Sequence, residues 1–153
     1  MQPSTIPISN CFISKEYRSR AIRPKKPEKY LIYNKVKMTY TRIYTDQEGN
    51  SRFEDVTVSL ESQGPIGSLS EAFEVCKLIF RETPPDYDYD YHHAPDRQFV
   101  ILLDGLIEVE TSSGEKRVFT GGEILLVEDT HGKGHKTKAL LKDVRKSIFV
   151  TLI

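Results

Sequence analysis

Cysteine is scarce in this chain, with two residues, Cys11 and Cys76, among 153. They are far apart in the sequence and form no Cys-x-x-Cys pair, so neither a zinc knuckle nor a redox motif is indicated. We therefore expect two free thiols in a reducing compartment, and a cytoplasmic protein.

Long apolar runs are also missing. No stretch approaches the roughly 18 apolar residues needed to span a bilayer, and no charged-then-apolar segment opens the chain as a secretory signal would. The sequence holds no Gly-x-Gly-x-x-Gly loop, no Walker loop and no Gly-x-Ser-x-Gly elbow. We expect a soluble, intracellular protein with no membrane partner and none of these three chemistries.

Net charge of either sign is absent, because 22 basic residues balance 22 acidic ones. Residues 1–37 nevertheless carry net +7 and the remainder net −7. The acidic remainder argues against a nucleic-acid partner. Residues 1–37, interrupted by four prolines, are predicted to be a basic, disordered extension. Two alternatives stay open: an organelle transit peptide, or translation that begins at Met38.

From Thr39 onward the pattern is typical of β-strands. Short runs rich in β-branched and aromatic residues are separated by turn signals such as Asp104-Gly105. These runs cover residues 39–44, 53–60, 73–80, 99–103, 106–111, 124–127 and 147–153. Only residues 70–74 allow a helical turn. We therefore predict a single all-β domain over 38–153, built as a sandwich or barrel.

The four histidines fall in two short segments, with His92 and His93 in the first and His131 and His135 in the second. Imidazole is the commonest metal ligand and the usual acid or base near neutral pH. The chemistry of this protein is predicted to centre on these segments.

The two segments resemble the two sequence motifs of the cupin family. In the first, His92 takes the leading His position, Gln98 the Glu position and Gly105 the closing Gly position. In the second, Gly122-Glu123 matches Gly-Asp and His135 matches the motif His. The resemblance covers roughly Phe53 to the C-terminus and implies a jelly-roll barrel (double-stranded β-helix).

The resemblance also implies a function, as a small-molecule enzyme with isomerase, dehydratase, lyase or oxygenase chemistry, and a homodimer. It places a divalent transition metal (Fe, Mn, Ni or Zn) on His92, Gln98 and His135. Two departures weaken this ligand set, since Ala94 stands at the second His position and a neutral amide replaces the Glu. The alternative is a metal-free module that binds a small polar ligand without catalysis. A metal-free pocket that still performs acid/base catalysis is also open.

Further residues near the motifs are candidates for catalysis or substrate binding. Asp129 and His131 lie in a glycine-containing polar loop and contact substrate or cap a turn. Arg97 clamps a substrate carboxylate or phosphate, or forms a structural ion pair. Tyr91 and Asp90 precede His92, and strict alternation over 86–91 would place the aspartates on the His92 face and the tyrosines opposite.

Overall fold

The computed structural model describes residues 37–153, and these are almost entirely strands. The predictions for residues 1–36 and for Cys11 lie outside the described part. The only helix within 37–153 is a single turn of 3₁₀ helix at Gly64–Ile66, so no helix there is long and apolar enough to cross a membrane. The strands are β1 (Thr39–Thr45), β2 (Ser51–Thr57), β3 (Glu61–Ser62), β4 (Ser68–Leu69), β5 (Val75–Thr83), β6 (Asp88–His92), β7 (Gln98–Leu102), β8 (Leu106–Thr111), β9 (Lys116–Thr120), β10 (Ile124–Val127), β11 (His135–Ala139) and β12 (Arg145–Leu152).

The strands form two main sheets and one short hairpin. The larger sheet has the order β2-β1-β10-β7-β12-β5, the smaller one β6-β11-β8-β9, and β3 pairs with β4. If the last eight strands are counted from one to eight, they give the orders 6-3-8-1 and 2-7-4-5, which is the strand order of a jelly roll. The predicted all-β fold class is confirmed.

Apolar side chains from both sheets meet in one core. The larger sheet contributes Val100 and Leu102 from β7 and Leu125 from β10, and the smaller sheet contributes Ile107 and Val109 from β8. Alternation along each strand sends these residues to the inner face and their neighbours outward. The core therefore lies between the sheets, and it ends where the polar residues of the site begin.

Two parts of the chain differ from the prediction. Residues 70–74 have no regular secondary structure and do not form the helical turn that the sequence allows. Strand β11 was not predicted, because its sequence His-Lys-Thr-Lys-Ala lacks large apolar residues. Its burial alternates all the same, with His135 and Thr137 buried and Lys136 and Lys138 partly exposed. Its position between β6 and β8 brings His135 into the interior.

Candidate functional site

A cavity of about 390 Å³ lies between the two sheets and contains all three predicted metal ligands, His92, Gln98 and His135. Aliphatic and aromatic side chains form most of its wall, as expected of a small-molecule site with a few convergent polar groups. Gln98 is buried at the start of β7, and the histidines reach the cavity from the smaller sheet. The structure thus brings together the residues that carry the motif resemblance.

The two histidines face each other across neighbouring strands. His92, the last residue of β6, is directly opposite His135, the first residue of β11, and their ring centroids lie 4.5 Å apart. Gly134 permits this approach, because it has φ +70° and a Cβ there would lie 2.3 Å from the carbonyl oxygen of His92. A side chain at position 134 would therefore force the strands apart at the site.

A buried carboxylate orients His135. Nδ1 of His135 donates a hydrogen bond to Oδ2 of Asp129 at 2.7 Å, and Asp129 has no exposed surface. The backbone of Asp129 is fixed as well, since its carbonyl accepts a bond from the N–H of Ala94. This contact leaves Nε2 of His135 as the nitrogen free to accept a proton or to bind an ion.

His92 is held by the backbone and not by a carboxylate. Its Nδ1 donates to the carbonyl of Asp90 at 2.8 Å, and the Tyr89 ring packs against it at 4.2 Å between centroids. Burial lowers the pKa of His92, and the nearby charges of His135 and Arg81 add to this, although the Asp90 hydrogen bond opposes it. His92 is therefore kept neutral near pH 7, with Nε2 unprotonated.

The expected facing of the Asp-Tyr alternation is wrong. Tyr87 and Tyr89 line the cavity, whereas Asp88 and Asp90 are exposed. The cause is a β-bulge, since the pairing of β6 with β11 shifts by one residue between His92 and Tyr89. An extra residue in one strand resets the alternation, so Tyr89 and His92 share the inner face. Asp90 acts on the site through its carbonyl alone.

The remaining predicted residues lie outside the cavity lining. Arg97 is exposed and donates from Nε to Glu128 at 2.8 Å, which is the ion-pair alternative. His131 is exposed, and its carbonyl accepts a bond from Thr45. The hydroxyl of Tyr91 donates to Glu110 at 3.2 Å. None of these three contacts supports the predicted substrate or catalytic role.

His93 also lines the cavity, although regular strand alternation would point it to the face opposite that of its neighbour His92. Strand β6 ends at His92, so the alternation does not continue. Its Nε2 donates to the carbonyl of Gly132, which ties the histidine segment to the polar loop. His93 is therefore a structural residue of the rim.

Two arginines in the cavity wall were missed by the sequence reasoning. Arg81 of β5 and Arg145 of β12 both line it, and both face the ring of Tyr87, with guanidinium-to-centroid distances of 5.0 and 5.9 Å. No local pattern marks them, because Arg81 faces inward through the pairing of β5 with β12, in which Ile79, of the same strand parity, is opposite the cavity residue Phe149. A basic residue on the inner face of a strand is unusual.

The donor set fits a divalent transition metal, held weakly. In both histidines Nδ1 is engaged by an oxygen, which is how ligating imidazoles are commonly oriented. Within residues 37–153 no three side chains of His, Cys, Asp or Glu are placed to hold an ion, so a metal on the two histidines would need the amide oxygen of Gln98 as its third donor. A neutral set of this kind binds less tightly than one with a carboxylate.

Comparisons with known proteins add little. No protein-family model and no curated protein matches this chain. Among solved structures, a crystal structure of a protein named as ethanolamine utilization protein Q, from Salmonella typhimurium LT2, is similar with 12% identity and a TM-score of 0.35. The match covers 76% of this chain and 97% of that one. The likeness is too weak to carry an argument about function.

Proposed function

We propose that this protein is a small-molecule enzyme of the cupin type that transfers protons with the Asp129–His135 pair. The observation that carries the proposal is the buried carboxylate bound to Nδ1 of an imidazole that lines the cavity. The strand order and the motif residues His92, Gln98 and Gly105 support the family. Isomerase, dehydratase and lyase reactions all need a positioned base of this kind.

In this mechanism Nε2 of His135 takes a proton from the substrate, and the carboxylate of Asp129 stabilises the imidazolium that forms. Asp129 also fixes the tautomer, because Nδ1 must carry the hydrogen that the carboxylate accepts. His92, held neutral beside it, accepts a hydrogen bond from a substrate hydroxyl or takes part in returning the proton. The aliphatic wall excludes water from the reacting atoms.

A divalent metal at His92, Gln98 and His135 is the second candidate. Its support is that both imidazoles present Nε2 to one cavity with Nδ1 already engaged. When bound, Fe, Mn, Ni or Zn would supply Lewis-acid chemistry, and Fe also oxygenase chemistry. The roles of Asp129 and of the Asp90 carbonyl as orienting groups are the same in both candidates.

Solvent proton exchange tests the acid/base proposal without knowledge of the substrate. The purified protein is incubated in D₂O with a panel of hydroxy acids, oxo acids and sugars, and deuterium uptake at carbon is followed by NMR. We expect uptake with at least one compound, and loss of that uptake in His135→Gln. Exchange that is equal in wild type and His135→Gln would overturn the proposal, and binding without exchange would identify a non-catalytic module.

Elemental analysis tests the metal candidate. Wild type and a His92→Ala, His135→Ala double variant are compared by plasma mass spectrometry after reconstitution with each metal. Near-stoichiometric metal that is lost in the double variant would establish the site. Absence of metal in the reconstituted wild type would reject it and leave the acid/base proposal standing.

A further inference from the structure

The cavity wall contains two positive charges that no carboxylate neutralises within residues 37–153. Every ion pair in this range involves other cations. Arg145 is only 5% exposed, and its one side-chain hydrogen bond is from Nη2 to the hydroxyl of Thr83 at 3.3 Å. A buried charge without a counter-ion is costly, so its presence calls for an explanation.

Three buried side-chain atoms lack a hydrogen-bond partner in the described residues; two lie on the strand face of the arginines, and the third is Oδ1 of Asp129, beside His135. Nε of Arg145 and the hydroxyl of Ser147 are buried without a hydrogen-bond partner in the described part of the chain. Ser147 is directly opposite Arg81 in the pairing of β12 with β5, and Arg145 is opposite Thr83, two positions along. Strand alternation places Arg81, Arg145 and Ser147 on one face. The two arginines of this face line the cavity, whereas the buried hydroxyl of Ser147 lies on the same strand face outside the cavity lining.

The repulsion between the two guanidinium groups supports the same view. Burial lowers the pKa of Arg145, and the charge of Arg81 lowers it further. The opposing influences are Tyr87 and the carboxylate of Asp104, and Asp104 already accepts the backbone N–H of Lys146 at 2.6 Å. Because arginine stays charged in proteins, holding this pair together carries an electrostatic cost that a bound anion would offset.

The backbone is also shaped for Arg145. At Gly105, which has φ +82°, a Cβ would lie 2.8 Å from Cγ of Arg145. The missing side chain at Gly105 therefore makes room for the aliphatic part of Arg145. Gly105 therefore allows both its own turn and the close approach of Arg145.

We infer that Arg81 and Arg145 form an anion-binding subsite, and that the ligand of this cavity is a small organic molecule with a carboxylate or phosphate group. The inference rests on the proposed function and deepens it by naming the substrate class. The anion binds the guanidinium groups, and an aliphatic or polar body extends along Tyr87 and Tyr89 toward His92.

The spacing of the rings supports this orientation. Tyr87 and Tyr89 have centroids 6.1 Å apart, and Tyr89 in turn contacts His92. The arginines and histidines therefore stand at two ends of one aromatic row that lines the cavity. A ligand held by its anion at the arginine end presents its other end to the proton-transferring pair.

Isothermal titration with matched probes tests the subsite. The probes are hexanoate and hexyl phosphate as anions, and 1-hexanol as the neutral molecule with the same chain. We expect at least one anion to bind about tenfold or more tightly than hexanol, as charge-assisted hydrogen bonds to two guanidinium groups predict. Preference between the two anions distinguishes a carboxylate from a phosphate ligand. Equal affinity for anions and hexanol, or no anion binding, would overturn the inference.

Variants separate a binding role from a structural one. Arg81→Gln should weaken the favoured anion about tenfold or more and leave hexanol binding unchanged. Arg52→Gln, which removes an exposed arginine paired with Asp46, is the matched control and should change neither. Unchanged anion affinity in Arg81→Gln would contradict the subsite, and so would an equal loss in both variants. Arg145→Lys keeps the buried charge and should stay folded with reduced affinity.

The two proposals can fail independently. His135→Gln should retain anion binding, because the arginines are at the other end of the cavity. Anion binding without proton exchange would sink the acid/base proposal and leave the subsite intact. If Arg81→Gln left proton exchange unchanged and the protein showed no preference for anions, the subsite would be contradicted and the acid/base proposal would stand.

Discussion

At the scale of single residues, Asp129 is the side chain on which the proposed chemistry depends most. Asp129→Asn preserves its shape but removes the charge that stabilises protonated His135. We expect the deuterium exchange rate to fall about 10²- to 10⁴-fold while the fold is retained. NMR exchange on the responsive substrate and a circular dichroism spectrum check the two parts. A rate within a factor of about three of wild type would mean that the pair has only a structural role.

His92 predicts a pH dependence of stability. Its pKa in the folded protein is lowered from 6.5, mainly by burial, so the unfolded chain takes up the proton first as the pH falls. The stability associated with neutral His92 is complete above pH 6.5 and is lost as the pH falls through the folded-state value. The unfolding midpoint should therefore drop less on acidification in His92→Gln than in wild type.

The matched control for this pH experiment is His131→Gln. His131 is exposed, and its one contact to another residue's side chain runs through its backbone carbonyl. The unfolding midpoint of His131→Gln should change with pH as that of wild type does, between about pH 7.5 and 5.5. If the unfolding midpoint changed with pH equally in wild type, His92→Gln and His131→Gln, the predicted role of His92 in this pH dependence would be wrong.

At the scale of elements, the approach of β6 to β11 depends on Gly134. Gly134→Ala should destabilise the protein by about 1–3 kcal/mol or more, because the backbone has positive φ and the added Cβ meets the His92 carbonyl. The same change should disturb the contact of the two imidazoles. Chemical denaturation and the histidine NMR signals are the measurements. Gly114→Ala is the control, since Gly114 has positive φ but open space where the Cβ would lie. Any greater loss of unfolding free energy in Gly134→Ala than in this control therefore comes from the contact between the strands.

The bulge in β6 shows what a strand pattern can and cannot predict. Period-two alternation correctly marked residues 106–111 as a strand, and the structure buries Ile107 and Val109 on its inner face. The same rule failed over 86–91. There, the face to which each side chain points is set by the pairing of β6 with β11 and by the bulge in that pairing. A residue inserted into a ladder leaves no mark in its own sequence, so the inward facing of Tyr89 required the structure.

At the scale of the whole molecule, the fold and the histidine end of the site were predictable from the sequence, whereas the arginine end was not. Turn residues and β-branched runs are local signals, and they predicted the strand content. The motif resemblance grouped His92, Gln98 and His135, and all three line one cavity. Arg81 and Arg145 are 64 positions apart in sequence and become neighbours only through the pairing of β5 with β12. A cluster made by long-range pairing has no local pattern to reveal it.

The outer surface of β5 supports the predicted homodimer. This strand is the edge of the larger sheet, and Leu78 and Phe80 on it are 59% and 76% exposed. An exposed apolar edge strand favours association, so we expect about twice the chain mass by light scattering coupled to gel filtration. Phe80→Glu should convert the protein to a monomer, because the charge would be buried in the interface. Val118→Glu, at an exposed apolar residue on β9 of the other sheet, should leave the mass unchanged, whereas a monomeric wild type would refute the prediction.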